Sequence, residues 1–193
     1  VRDIEHEVVP AALDANIGLL PWSPLGGGWL SGKYKRDIEH EVVPAALDAN
    51  IGLLPWSPLG GGWLSGKYKR DQMPTGATRL GENPKRGMEA FEKRNSNLMT
   101  WGVIGAVEDI AKARGASMAQ VALAWVCARP AVTSVILGAR TTAQLKDNLG
   151  AADLVLSSDE MATLTAASQP EMSDYPYGTG GIDQRHRKIG GGR

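Results

Sequence analysis

A single cysteine, Cys127, stands in the whole chain, which excludes an internal disulfide and a cysteine-built zinc site and suits a reducing, cytoplasmic setting. It falls in an apolar helical pattern with no base near it in sequence to activate the thiol, and is expected to be a small core residue. Long apolar runs are missing as well. No segment approaches the roughly 20 residues that cross a bilayer, and the opening Val1-Arg2 begins no signal peptide. Nor is either sign of charge in excess: 21 basic residues face 21 acidic ones, so no overall field attracts nucleic acid or an anionic membrane. The basic run Arg185-His186-Arg187-Lys188 lies in the Gly-rich stretch 169–193 and reads as a solvated tail. What is present is ordinary, with 42% hydrophobic residues among 193, enough for one sizeable domain with its own core.

The chain repeats itself. Arg2 to Lys35 is identical to Arg36 to Lys69, an offset of 34 positions, and even Asp3/Asp37, His6/His40 and Lys35/Lys69 agree. A helix-pair solenoid is rejected, because each unit carries one short helix and one strand and two copies are fewer than the three or so a solenoid needs. The second copy runs straight into the downstream sequence and is expected to hold the native-like position, with residues 1–35 as an extra helix-strand unit. Within each unit Pro10 and Pro44 suit the first turn of the helix, and Asn16 and Asn50 its left-handed end. The apolar run Gly-Leu-Leu-Pro-Trp (Gly18 to Trp22, Gly52 to Trp56) reads as a buried strand. It opens into Ser-Pro-Leu-Gly-Gly-Gly-Trp-Leu-Ser-Gly-Lys-Tyr, whose three successive glycine amides could cradle a phosphate or simply make a flexible turn.

Residues 71–97 form a polar segment rich in Gly and Pro, too long for a simple connector and suited to a lid. Val103, Ile104, Val107, Ile110 and Ala111 recur at helical spacing up to a stop at Gly115. Ser117 with Gln120 makes a capping box for a helix that ends before Pro130, and Thr133 to Leu137 reads as a buried strand. The next turn, Gly138-Ala139-Arg140-Thr141-Thr142-Ala143-Gln144, holds a capping box of Thr141 and Gln144. That places Arg140 at a helix N-terminus, where amides, dipole and guanidinium would converge on an anion, unless the arginine is only a solvated charge. The helix from Ala143 to Leu149 stops at Gly150, and Ser157 with Glu160 caps a last one through Ala167.

Two strand-to-helix units, each with a ligand-friendly turn at the strand's C-terminal end, describe part of an alternating β/α architecture. The motif from Glu41 through Asn50-Ile51-Gly52-Leu53-Leu54-Pro55-Trp56-Ser57-Pro58-Leu59 to Tyr68, followed by Val135-Ile136-Leu137-Gly138-Ala139-Arg140 through Leu149, resembles the C-terminal half of the aldo-keto reductases, over Arg36 to about Gly178. The resemblance implies an α/β fold, part of a (β/α)8 TIM barrel, with residues 36–168 as a C-terminal half-barrel carrying one duplicated helix-strand unit and a mobile loop at 71–97. It implies NADP(H) and hydride transfer to or from a small carbonyl or alcohol. Trp56, or its twin Trp22, would stack on the nicotinamide, and Ser57, Leu59, Gly61 and Leu64 would line the pyrophosphate with Lys67 near. The Gly138 turn would place Arg140 on the 2′-phosphate, and Gln144 and Asn148, one helical turn apart, beside the adenine.

The family's catalytic Tyr, Lys, Asp and His come from the first half of the barrel and match no position here, so no catalytic residue and no metal ligand is assigned. Three readings stand: a catalytically incomplete reductase fragment that keeps part of the NADP(H) site, a structural half-barrel that self-associates through open strand edges, and a longer enzyme whose first half lies outside these residues.

Overall fold

Capped helices dominate the structure, a computed structural model in which residues 42–85 and 91–169 are described. The first repeat copy and the basic tail lie outside the described residues. Helix α1, Val43–Asp48, has Pro44 in its first turn, where no amide partner is needed, and the chain leaves it through Asn50 at φ 53°, the left-handed end the sequence suggests.

Helix α4, Leu98–Arg114, buries Val103, Ile104, Val107, Ile110 and Ala111 on one face and ends at Gly115 with φ 61°. Helix α5, Met118–Cys127, starts from the Ser117–Gln120 capping box and buries every residue from Val121 to Val126, so it is enclosed on all sides. Cys127 departs from expectation. It lies one position beyond that run, where the helix leaves the core, and is exposed. Partial desolvation still pushes its thiol pKa up, so it is an unactivated thiol.

Helix α6, Thr142–Leu149, is joined to α5 through Asp147, which takes a hydrogen bond from Ser117 Oγ at 2.8 Å and, on its carbonyl, one from Gln120 Nε2 at 2.9 Å. Helix α7, Ser158–Ala167, opens on the Ser157–Glu160 capping box. There Arg114 at the end of α4 grips the Glu160 carboxylate with two 2.7 Å bonds and reaches the Val155 carbonyl at 3.1 Å. That grip and the Ser157 amide hold the Glu160 pKa down at about 2.

The segment 71–97 is less irregular than its composition suggests. It contains two short helices, α2 (Arg79–Glu82) and α3 (Phe91–Asn95), because one apolar residue in each, Leu80 and Phe91, is buried in the core.

The two expected strands do not form as regular elements. Leu53 N–H donates to the Ala131 carbonyl at 2.7 Å and the Leu53 carbonyl accepts from Thr133 N–H at 3.0 Å, a parallel pattern. Two residues on, a parallel ladder needs an amide hydrogen from position 55, and Pro55 has none. The next bond runs from Ile136 N–H to the Pro55 carbonyl at 2.8 Å. A step of three residues from Leu53 to Trp56 therefore faces a step of four from Val132 to Ile136, which is a bulge. Among the described residues these two isolated bridges are the only strand pairing. Thr133, Ser134 and Ile136 are accordingly exposed rather than buried.

Candidate functional site

Both ligand-friendly turns leave from this parallel pair. Trp56 pairs with Ile136, so the turn after Trp56 and the turn after Leu137 emerge side by side at the same end. The first begins under strain, since Ser57 takes φ 53° where a side chain is disfavoured.

Its glycines all turn left-handed, with Gly60 at φ 58°, Gly61 at 73° and Gly62 at 97°, a run only glycine sustains at low cost. The three amides do not fan outward together. Gly60 N–H donates to Ser57 O at 3.0 Å and Gly62 N–H to Leu59 O at 2.9 Å, so two of them are consumed in shaping the turn. The simple amide cradle suggested by the sequence is corrected accordingly.

An aromatic floor fixes the turn from beneath. Trp63 is buried and has the rings of Tyr68, Phe91 and Trp101 at 5.2, 5.7 and 5.8 Å between centroids. Tyr68 Oη donates to the Gly61 carbonyl and accepts from Leu80 N–H, both at 3.4 Å, linking the glycine turn to α2. Leu64, read as lining the pyrophosphate, is buried and its amide bonds to Leu59 O at 3.3 Å. Leu59 is half-buried against the core, and both leucines support the turn through packing. Trp56 is 39% exposed, free enough for a ring to lie on it.

Charge collects where the turns approach. Lys67 folds back along the glycines, so close that a Cβ on Gly62 would come within 2.5 Å of its amine. The Lys67 pKa is lowered, first by desolvation and then by the fields of Arg140 and Arg79. The whole residue counts as exposed, but its amine is the part drawn in, and the direction of the shift follows from that. Three cations thus share one field, of which Arg79 was not singled out in sequence. It sits in an ordinary polar stretch, next in sequence to the buried Leu80. A cleft of about 170 Å³ opens beside Lys67, lined among others by Lys69, Gln72, Thr75 and Thr78. That is below the roughly 300–1,000 Å³ of whole small-molecule sites and suits a single phosphate-bearing group.

Arg140 behaves differently from expectation. Its amide donates to Gln144 Oε1 at 2.9 Å, so Gln144 caps one residue ahead of the predicted box, while Thr141 Oγ1 accepts from Gln144 N–H at 3.2 Å. The guanidinium turns toward α2, with Nη2 at 2.7 Å from Glu82 Oε1 and Nη1 at 3.2 Å from the Ala77 carbonyl. Asn148 is only 5% exposed while Gln144 is exposed, so the two do not share one accessible face. Gly138 is exposed, with open space around its α-carbon.

The donor set fits a phosphorylated ligand: cationic Lys67 and Arg140, a glycine turn along which the Lys67 side chain lies, and an exposed tryptophan at the same end of the parallel pair. Among the described residues no group of His, Cys, Asp and Glu is placed to hold a metal, and no helix is long and apolar enough to cross a membrane.

The sequence model of the Aldo/keto reductase family matches residues 34–169. The chain is 35% identical over 163 residues to the uncharacterized oxidoreductase YrpG of Bacillus subtilis (strain 168), covering 84% of this chain and 36% of that protein. It is 34% identical over 166 residues to probable aldo-keto reductase 1 of Glycine max, covering 86% and 36%. It is 32% identical over 152 residues to a probable voltage-gated potassium channel subunit beta of Arabidopsis thaliana, covering 79% and 35%. The chain therefore spans about a third of the length of these relatives. A crystal structure of the thermostable aldo-keto reductase Tm1743 with the inhibitor epalrestat aligns with a TM-score of 0.45 at 25% identity, over 68% of this chain and 35% of that one.

Proposed function

Because the chain belongs to the aldo/keto reductase family, we propose that its residues 36–168 form the NADP(H)-holding side of a (β/α)8 oxidoreductase that moves hydride between the cofactor and a small carbonyl or alcohol. The observation that carries the reading is that the glycine turn after Trp56, with Lys67 folded over it, and the turn that holds Arg140 leave the same end of one parallel pair. Lys67, Arg79 and Arg140 would hold the phosphates of the bound dinucleotide, the backbone of Ser57 to Gly62 would lie along its pyrophosphate, and Trp56 would cover its ring end. Gln144 and Asn148 belong to the adenine end, Gln144 by its side chain and Asn148 by supporting α6 from within.

When bound, the nicotinamide supplies the hydride, and the chain's residues orient it and exclude water from it. The family's proton donor matches no position of this sequence. Carbonyl reduction by these residues alone is expected to lose at least the roughly 10² to 10⁴ that general acid catalysis contributes. Segment 71–97, with its two short helices, then lies over the cofactor.

The test is a titration with NADPH and NADH read by tryptophan fluorescence. NADPH should quench, and Arg140→Ala should weaken it by about 1.5–3 kcal/mol, the range for charge-assisted bonds, with NADH nearly unchanged. Absence of quenching, or equal loss for both cofactors, would count against the reading.

One observation favours a second role. Trp56 and Ile136, neighbours on the parallel pair, are 39% and 53% exposed, an apolar edge on which another copy could pair. Sedimentation across a concentration series tests it, and a monomer at high concentration would end it.

A further inference from the structure

The Glu82 carboxylate is bonded directly to Arg140, one of the proposed phosphate-binding cations. Its Oε1 lies 2.7 Å from Arg140 Nη2. It is carried on α2, whose Leu80 is fully buried and whose Leu80 amide is tied to Tyr68 Oη. Thr78 caps the same turn, accepting from Gly81 N–H at 2.9 Å, and a side chain at Gly81 would collide with the backbone of Thr75 and Gly76, so the turn is closed on itself. The carboxylate thus stands preorganised, while the Ala77 carbonyl of the same segment holds the other guanidinium nitrogen at 3.2 Å. Arg140 and Glu82 each keep more than half of their side-chain surface in solvent, so a stronger anion has a path to the guanidinium and Glu82 has a path away.

We propose that Glu82 is a specificity-determining residue whose carboxylate competes with the cofactor's 2′-phosphate for Arg140, setting the preference for the phosphorylated dinucleotide below what the arginine alone would give. The inference rests on the reading of Arg140 given above. A 2′-phosphate carries more charge than a carboxylate and matches the guanidinium fork with two oxygens, so it displaces Glu82 when bound. The displaced carboxylate stays close on its anchored turn and repels the phosphate. NADH, with a 2′-hydroxyl, meets no such penalty.

The experiment measures NADPH and NADH dissociation constants by titration calorimetry for wild type, Glu82→Gln, Arg140→Ala and the double variant. Glu82 is exposed, so the amide fits without repacking. Glu82→Gln should bind NADPH about 2- to 5-fold tighter, the fold equivalent of an exposed ion pair. NADH should be unchanged, and the gain should vanish in the Arg140→Ala background. If Glu82→Gln leaves NADPH unchanged or weaker while Arg140→Ala still weakens it, the competition is overturned and the cofactor reading stands. If Arg140→Ala does not weaken NADPH, the reading of Arg140 falls and the inference with it.

Discussion

Replacing Gly62 by alanine separates the architecture of the glycine turn from its chemistry. Gly62 sits at φ 97° and ψ 6°, and an L-residue held left-handed costs about 1–2 kcal/mol. The new methyl would also lie within 2.5 Å of Lys67 Nζ and nearer still to its Cε. A lysine terminus swings away easily, so the collision adds little to the folding cost but moves the amine out of the cationic cluster. Gly115→Ala is the control, because Gly115 is left-handed at φ 61° with nothing within 4 Å of the added carbon, at the far end of α4. Urea unfolding should therefore show both variants destabilised by about 1–2 kcal/mol. Only Gly62→Ala should weaken NADPH, by about tenfold, near the lower end of a charge-assisted bond. Wild-type NADPH affinity in Gly62→Ala would refute a role for Lys67, and equal loss in Gly115→Ala would show that binding merely tracks stability.

Three other outcomes follow from the same contacts. Desolvation and the fields of Arg140 and Arg79 hold the Lys67 pKa below its ordinary 10.5. NADPH affinity should thus be level at neutral pH and fall as pH rises through that lowered value, and Lys67→Arg, which stays charged, should abolish the fall in a pH series of titrations. The Glu160 pKa is depressed from 4.5 to about 2, so its grip on Arg114 stabilises fully above the ordinary value and is lost as pH falls toward 2. Melting temperatures between pH 5 and 2 should drop less steeply in Glu160→Gln than in wild type. Leu80→Ala should cost about 2–5 kcal/mol in urea unfolding, because Leu80 is fully buried and alone anchors α2 in the core.

What could be read from the sequence was mostly local. The Ser117–Gln120 and Ser157–Glu160 boxes, the stop at Gly115 and the left-handed Asn50 lie within a few positions of their partners, and the structure has all of them. The residues of α4 that share helical spacing share the core, because a single face had to be buried. The strand reading failed on a detail that was in view. Apolar, β-branched character favours a strand, but the missing amide of Pro55 breaks the ladder. The partner of Arg140 was not readable at all: Glu82 lies 58 positions away, on a four-residue helix whose Leu80 is buried. Arg79, on the same helix, was not readable either. Cys127 shows the limit of periodicity, since the apolar pattern runs one residue further than the core does.

The central claim is that the turn after Trp56 and the turn around Arg140 grip one ligand. It is tested most directly by titrating 2′,5′-ADP, the doubly phosphorylated half of NADP, into isotope-labelled protein while following backbone amide signals. The amides of Gly61, Gly62 and Lys67 should shift together with those of Arg79, Arg140 and Gln144, all with one dissociation constant. Shifts confined to one of the two turns, or two sets of shifts with unrelated constants, would contradict it.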